Sequence, residues 1–396
     1  MSILYSEELK PVSHGLINYW GSLFGSSEAL ALIEFAESKN KVILYIANDI
    51  SHCDEIKRAL KFFNTSLEIL DFSSWEILAF DHFSPHPDIV SSRLETLSKL
   101  PSLKRGIVIT TLETLSQKLC PRSYIEAYSH NLKTKQTLNI EPFCENLIKI
   151  GYRRVTTVME QGEFCVKGAL IDLFPMGSKL PYRIDLFDNE IDSIRSFETS
   201  SQRSIEVITK VKLLPAREFA TDNESISTFK DNYLSEFGNT DGFIYSEVSE
   251  GRYPGGIEFY LPLFFKQTET LFDYIHEEPI VAYQKGIAES ITLQEKALLE
   301  RFEYYKESPE RTPLPINKVY LSSEKLFHNL KNNNQIQLQS SKIEKKEGYN
   351  FSSSILPPIK IEAQTKNPLH KLIKFIESYD GKILIVCETE GRKTVL

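Results

Sequence analysis

Cysteine pairing is missing from the pattern of this 396-residue chain: Cys53, Cys120, Cys144, Cys165 and Cys387 lie far apart, with no C-x-x-C pair among them. An odd, unspaced set excludes a disulfide framework and reads as free thiols in a reducing compartment. Positive charge is in deficit. With 46 Lys and Arg against 54 Asp and Glu, the net charge is −8 and the pI near 5.7. Nucleic-acid affinity rests on lysine and arginine against phosphate, so the average surface is not built for that partner, a local basic patch aside. No apolar run approaches the ~20 residues that span a bilayer. The start, MSILYSEELKPVSHG, has no basic stretch followed by an apolar core, so it does not read as a signal peptide. The expectation is a soluble cytoplasmic protein.

The composition that remains is ordinary for a globular chain, 41% hydrophobic and 25% charged, and the length suits about two to four domains. Residues 26–39 repeat apolar side chains at helical spacing behind Ser26 and Ser27, and Lys41–Ala47 reads as a strand. Asp49 is placed to cap a helix over Ile50–Phe63, Leu67–Phe72 reads as a strand, and Asp88 is placed to cap a helix to Leu100. Gly106–Thr111 reads as a buried strand and Leu112–Cys120 as helix. Strands alternating with helices imply parallel pairing, so residues 1–128 are expected to form an α/β domain of RecA-like type.

From Thr134 the pattern becomes β-rich. Tyr152–Met159 and Glu163–Leu173 are strand-like, punctuated by Gly162 and Pro175-Met176-Gly177. Tyr182–Phe187 and Glu190–Phe197 are joined by Asp188-Asn189, residue types that tolerate the positive φ of a tight hairpin. Alternation puts Tyr182, Ile184 and Leu186 on one face, a core face, and Arg183, Asp185 and Phe187 on the other. Arg and aromatics are enriched in interface hot spots, but single exposed apolar residues are common, and pattern alone favours an ordinary solvated face.

The run strongly resembles the interaction module shared by the excinuclease B subunit (UvrB) and the transcription-repair coupling factors (Mfd family). The matching residues are Gly162-Glu163-Phe164, Lys167 through Pro175, Arg183-Ile184-Asp185, Asp192 through Phe197, Gln202-Arg203-Ser204 and Leu214 through Phe219. Which relative is closer depends on the turn before the first long helix, Gly21-Ser22-Leu23-Phe24-Gly25-Ser26-Ser27-Glu28. A P-loop needs G-x-x-x-x-G-K-[ST]; here the Lys is missing and Glu28 brings negative charge, so Gly21, Gly25, Ser26 and Ser27 read as a degenerate P-loop. The B subunit's first domain carries a working loop and that of the coupling factors does not. Trp75-Glu76, Phe83 through Leu94, and Gly256 through Phe265 also resemble the coupling factors' N-terminal region. The resemblance then covers essentially the whole chain.

The organisation expected is a degenerate RecA/helicase-like α/β body with an inserted β-rich (α+β) module over 129–215. The body resumes over 216–330, with a helix over Ala282–Tyr304. A polar linker over 331–356 follows, then the start of a further α/β domain over 357–396 with a helix Pro368–Ser378 and a strand Lys382–Cys387. Gly391-Arg392-Lys393-Thr394 imitates a P-loop without its first glycine, and the chain reads as the N-terminal part of a longer protein. Asp81, His82, His86 and Asp88 are a superficial metal candidate, weakened by Pro85 and Pro87, which disfavour a helix there, and no metal is expected. No catalytic residue and no bound cofactor are expected in this stretch.

The resemblance implies a partner and a site. In the family this module recruits the excinuclease A subunit (UvrA) in transcription-coupled nucleotide excision repair. The missing part is an ATP- and Mg-dependent translocase on double-stranded DNA that displaces stalled RNA polymerase. A C-terminal domain masks the module until polymerase is engaged. The family's contact residues fall on Lys167, Arg183 and Phe187, which turns the reading of that outer face from solvated to interacting. Position 167 is usually Arg in the family, and Lys keeps the charge without the planar fork. Asp185 is placed either to orient Arg183 or to stand as an unpaired surface acid. The rival reading is a UvrB-like, ATP-dependent damage-verification protein.

Overall fold

The computed structural model describes residues 16–63, 66–276, 278–308, 311–344, 348–359, 367–385 and 391. Residues through Ser352 form one compact unit and Ser353–Leu396 a second. In the first, β1 (Ile17–Gly21), β2 (Val42–Ala47), β3 (Glu68–Asp71) and β4 (Gly106–Thr111) alternate with helices Ser27–Lys39, Ile50–Phe62 and Pro87–Lys99. Every residue of β2 and β4 is buried, as parallel strands covered on both faces are. Asp49 caps its helix as expected, accepting from the His52 amide at 2.8 Å.

Two helix ends differ from the sequence expectation. The cap of Pro87–Lys99 is His86, whose ring nitrogen accepts from the Asp88 amide at 3.3 Å, and not Asp88. Pro87 sets the start, because its fixed φ suits the first helical position. The helix expected over Leu112–Cys120 stops at Ser116. Beyond it the Lys118 and Leu119 amides donate to the Val319 and Glu269 carbonyls, distant partners that override local periodicity.

The chain then leaves the body through β5 (His130–Lys133) and helix Ile140–Lys149. Next come β6 (Arg153–Arg154), β7 (Glu163–Lys167), β8 (Leu170–Phe174), β9 (Tyr182–Phe187), β10 (Glu190–Phe197) and β11 (Ser204–Ile208). It returns through β12 (Lys210–Leu213), which pairs antiparallel with β5. β6 to β11 form a six-stranded sheet in sequence order, antiparallel except for β6 on β7. Two expected runs are cut differently. Tyr152–Met159 contributes only Arg153-Arg154, and Glu163–Leu173 folds back on itself at Gly168, φ +62°, with Lys167 opposite Leu170. A two-residue turn entered at positive φ is a glycine position. The Asp188-Asn189 hairpin forms as read: Phe187 faces Glu190 across the ladder and Asp188 takes φ +53°.

β13 (Ile280–Gln284), β14 (Asn334–Leu338) and β15 (Gly348–Asn350) complete a seven-stranded parallel sheet in the order β15-β1-β14-β13-β2-β4-β3. The helix expected from Ala282 therefore begins only at Ile287, after Gly286 at φ +104° ends the strand connection. The polar stretch 331–356 is not a linker through Ser352, because it supplies two strands of this central sheet. Its amide side chains find partners there. Gln335 accepts from the Tyr283 hydroxyl at 2.6 Å, and Asn350 bonds the Ile343 amide and carbonyl at 2.8 and 2.9 Å. Composition counts Asn and Gln as loop residues, but satisfied amides sit in a ladder without penalty.

In the second unit, helix His370–Ser378 is followed by residues 382–385, which are not in a strand; 386, 387 and 392–394 lie outside the described residues. The inner face of the module (Phe164, Ile171, Leu173, Ile184, Leu186, Ile191, Ile194) shares one apolar cluster with Phe143 and Leu147 and with body residues such as Leu94 and Leu97. Among the described residues no helix is long and apolar enough to cross a membrane.

Candidate partner-binding site

Strand alternation and register decide what the outer face of the module presents. Lys167 lies opposite Leu170, Leu170 opposite Asp185, and Phe187 is one step further along β9. Lys167, Arg183 and Phe187 therefore share one face, as alternation required of the last two. Part of that face is roofed by the segment after β6: Val158, with Val155 against it, packs on Cys165, Phe174 and Phe197. The rest is open. Phe187 is 75% exposed and Val207, opposite Arg195 on edge strand β11, is 72% exposed, with Ile205 beside it.

The three predicted residues are not equivalent. Lys167 is exposed beside the Gly168 turn and makes no ion pair among the described residues. Arg183 is committed: its Nε and Nη2 donate to both oxygens of Asp172 at 2.7 and 3.0 Å, Nη1 donates to the Gln202 carbonyl, and the guanidinium lies 4.8 Å from the Phe197 ring centroid. Asp172 raises the Arg183 pKa further by accepting those bonds. Asp185 does not orient Arg183; it accepts from Arg195 at 2.8 Å. The partner lies on the neighbouring strand β8, a cross-strand pairing invisible before the register is known. What the face offers is one free ammonium, an aromatic ring at the hairpin tip, and a rigid charged lattice between them.

The hairpin tip is held from behind. The Leu138 amide donates to the Asn189 carbonyl at 2.7 Å, the Lys135 amide to the Ile191 carbonyl at 2.8 Å, and the Ile191 amide to the Gln136 carbonyl at 2.9 Å. Phe187 therefore projects from a fixed support, and rigid anchors lose little entropy on binding.

The loop before the first helix has a different fate. The Ser22 amide donates to the Ser341 carbonyl at 3.2 Å and the Leu23 amide to the Gln339 carbonyl at 3.3 Å. A Cβ on Gly21 would stand 2.5 Å from Asn350 Oδ1 and 2.9 Å from the Ser341 carbonyl oxygen. That glycine admits the returning chain. Glu28 is buried beneath the loop, accepting from Tyr45 Oη at 2.5 Å and Gln284 Nε2 at 2.7 Å. Burial pushes its carboxyl pKa up. Two amides of the loop, those of Ser22 and Leu23, are thus turned to the 339–341 segment. His82 and His86 are likewise used locally, His82 against the Tyr305 ring at 5.4 Å and His86 as a helix cap.

The module's frame is matched by known sequences. Residues 131–219 match the family model of the UvrB interaction domain, beginning in β5 and ending after β12. Over nearly its whole length the chain is similar to transcription-repair-coupling factors, 37% identical over 98% of the chain to that of Escherichia coli and 36% over 98% to that of Haemophilus influenzae. It corresponds to the N-terminal region of a transcription-repair-coupling factor. The chain spans about a third of the length of these curated relatives, 34% in each case. A third relative, the coupling factor of Rickettsia prowazekii, is 31% identical over 88% of the chain.

Several residues that carried the likeness to coupling factors turn out to hold the module on the body. Arg93 is fully buried, donates from Nε and Nη2 to Glu218 at 2.5 and 3.2 Å and from Nη1 to the Ser73 carbonyl, and stacks on Phe72 and Trp75. The Trp75 indole donates to the same carboxylate at 3.3 Å. Gly177 donates to Ser91 Oγ at 2.7 Å. Within the body itself, Gly256, φ +81°, lies where a Cβ would be 2.4 Å from the Asp81 carbonyl oxygen. For Arg93, Trp75 and Gly256 the sequence signal was the motif match alone, since each partner is distant in the chain, whereas Gly177 signals only a turn.

Proposed function

We propose that this chain is a recruitment module for the excinuclease A subunit (UvrA), acting without catalysis of its own in transcription-coupled nucleotide excision repair. Supporting it is the open outer face of a UvrB interaction domain, with Phe187 projecting from a braced hairpin and Lys167 on the same face. Phe187 supplies the desolvated anchor and Lys167 the steering charge toward an acidic patch. Arg183 acts from within its pair with Asp172, presenting the edge of a charge-balanced platform rather than a free cation. Assignment to a non-catalytic role is supported by the loop at Gly21–Glu28, whose Ser22 and Leu23 amides are occupied by chain and whose Glu28 is buried. The same loop disfavours a UvrB-like ATP-dependent reading. In the whole protein, translocation on double-stranded DNA, displacement of RNA polymerase, use of ATP and Mg, and a cytoplasmic location belong to this proposal too, as does masking of the outer face by a C-terminal domain.

Titrating purified UvrA into the chain tests the assignment. Phe187→Ala and Arg183→Ala are each expected to weaken binding by about 2 kcal/mol or more, and adding the C-terminal domain is expected to weaken it as well. Wild-type affinity in both variants would remove the site. An unchanged affinity with the C-terminal domain present would remove the masking.

A further inference from the structure

The two edges of the module's sheet are finished differently. At one, β6 is two residues long and both are arginine; shortness and charge are devices that keep an edge from pairing. At the other, β11 reads Ser204-Ile205-Glu206-Val207-Ile208, with no lysine and no proline, and among the described residues it pairs with β10 alone. The Glu206 amide turns inward and donates to Ser196 Oγ at 3.3 Å. Backbone groups of successive strand residues point to opposite sides, so the amides and carbonyls of Ile205 and Val207 turn to the open edge. Among the described residues no turn or loop bonds them. Their side chains stand exposed on the outer face. An unpaired edge carrying β-branched apolar residues is a template for a further strand.

Position says whose strand that is. Val207 lies opposite Arg195, Arg195 opposite Arg183 and Arg183 opposite Asp172, a single row across β11, β10, β9 and β8. The open edge is thus two strand spacings, about 10 Å, from Arg183. A stable interface takes about 800 Å² from each partner, a patch roughly 30 Å across. Lys167, Arg183 and Phe187 alone do not fill such a footprint. A partner seated over Arg183 and Phe187 reaches β11, the adjoining surface with backbone donors and acceptors to offer.

We propose, resting on the recruitment reading, that UvrA seated on the outer face adds an extended segment to β11 as a seventh strand of the sheet. Main-chain bonds to the amides and carbonyls of Ile205 and Val207 hold the segment, and apolar side chains at its alternate positions meet theirs. A carboxylate suits either end of it, where Arg203 and Lys210 are exposed. Phe187 and Lys167 then choose the partner, and the edge adds contact that depends on backbone shape.

Hydrogen exchange of the full chain, alone and with saturating UvrA, tests the pairing when read at residue level over 204–208. Alone, the 205 and 207 amides should exchange as open backbone; in the complex both should slow by about tenfold or more. UvrA binding with exchange unchanged at both amides overturns the strand addition and leaves recruitment standing. No UvrA binding at all removes recruitment, and the pairing with it. Protection that appears in the chain alone and grows with its concentration assigns the edge to a second copy and overturns the proposal. Val207→Pro separates backbone pairing from side-chain cover. Proline is tolerated on an edge strand where the N–H faces solvent, so the melting temperature should hold while UvrA affinity falls about fivefold or more. Val207→Thr keeps the amide and the β-branched shape and should stay within about threefold of wild type. Wild-type affinity in a folded Val207→Pro chain would overturn the pairing, and if that variant does not fold, the wild-type exchange pattern decides.

Discussion

Two arginines in this chain are built alike and used differently. Arg93 and Arg183 each form a bidentate pair with a carboxylate, give a remaining N–H to a backbone carbonyl, and lie over an aromatic ring. Arg93 is wholly inaccessible, where the module meets the body; the Arg183 side chain is 19% exposed, on the face turned away from the core. In the first, each guanidinium nitrogen donates a bond that holds two parts of the molecule in register. In the second, the same chemistry stiffens a surface whose outward edge remains in water. A motif match alone does not separate such cases, because both arginines sit inside stretches that resemble the family.

The comparison can be broken most forcefully at the closed pair. Glu218→Ala strands a fully buried guanidinium and is expected to cost about 3–5 kcal/mol of stability, read as a lowered urea midpoint. Asp172→Ala at the open pair should cost less, about 1–3 kcal/mol, since water reaches Arg183; UvrA affinity should fall as well, because the platform beside Phe187 loosens. Equal stability losses in the two variants would mean that exposure does not separate the pairs. The smallest effect concerns a buried carboxyl held by the Tyr45 hydroxyl and the Gln284 amide. Burial raises the folded pKa of Glu28, so the stability it contributes is complete below the unfolded value and is lost as pH climbs through the raised one. Relative to wild type, Glu28→Gln should therefore gain thermal stability as the pH rises above about 4, and a difference in melting temperature that stays constant as the pH rises would contradict the sign.

What the sequence made legible follows from what is local. The hairpin over Tyr182–Phe197 could be read to the residue because period-two alternation and an Asp-Asn turn are both short-range signals. Gly168 was hidden because strand-like residues flank it on both sides, and only its positive φ marks the reversal. The stretch from Lys331 was misread because Asn and Gln look like loop until Tyr283 and Ile343 are known to be their partners. At the candidate site, alternation placed Arg183 and Phe187 together, whereas the pairing of Arg183 with Asp172, not Asp185, depends on which strand lies alongside. The thiols were legible as free: Cys53, Cys120, Cys144 and Cys165 form no disulfide and are buried, and burial pushes the Cys53 pKa up to about 12.

The position of β1 has a consequence for how the chain is made. Its sheet neighbours are β14 and β15, residues 334–338 and 348–350, while β2, β3 and β4 pair among themselves much earlier. During synthesis at roughly 5–20 residues per second, β1 and Trp20 emerge first and then wait through some 300 further residues, on the order of 15–60 s at that rate, before a strand arrives to pair with them. The earliest-made of the described strands is thus among the last to be ordered. Until β14 arrives, both edges of β1 are without the sheet partners they have in the folded chain.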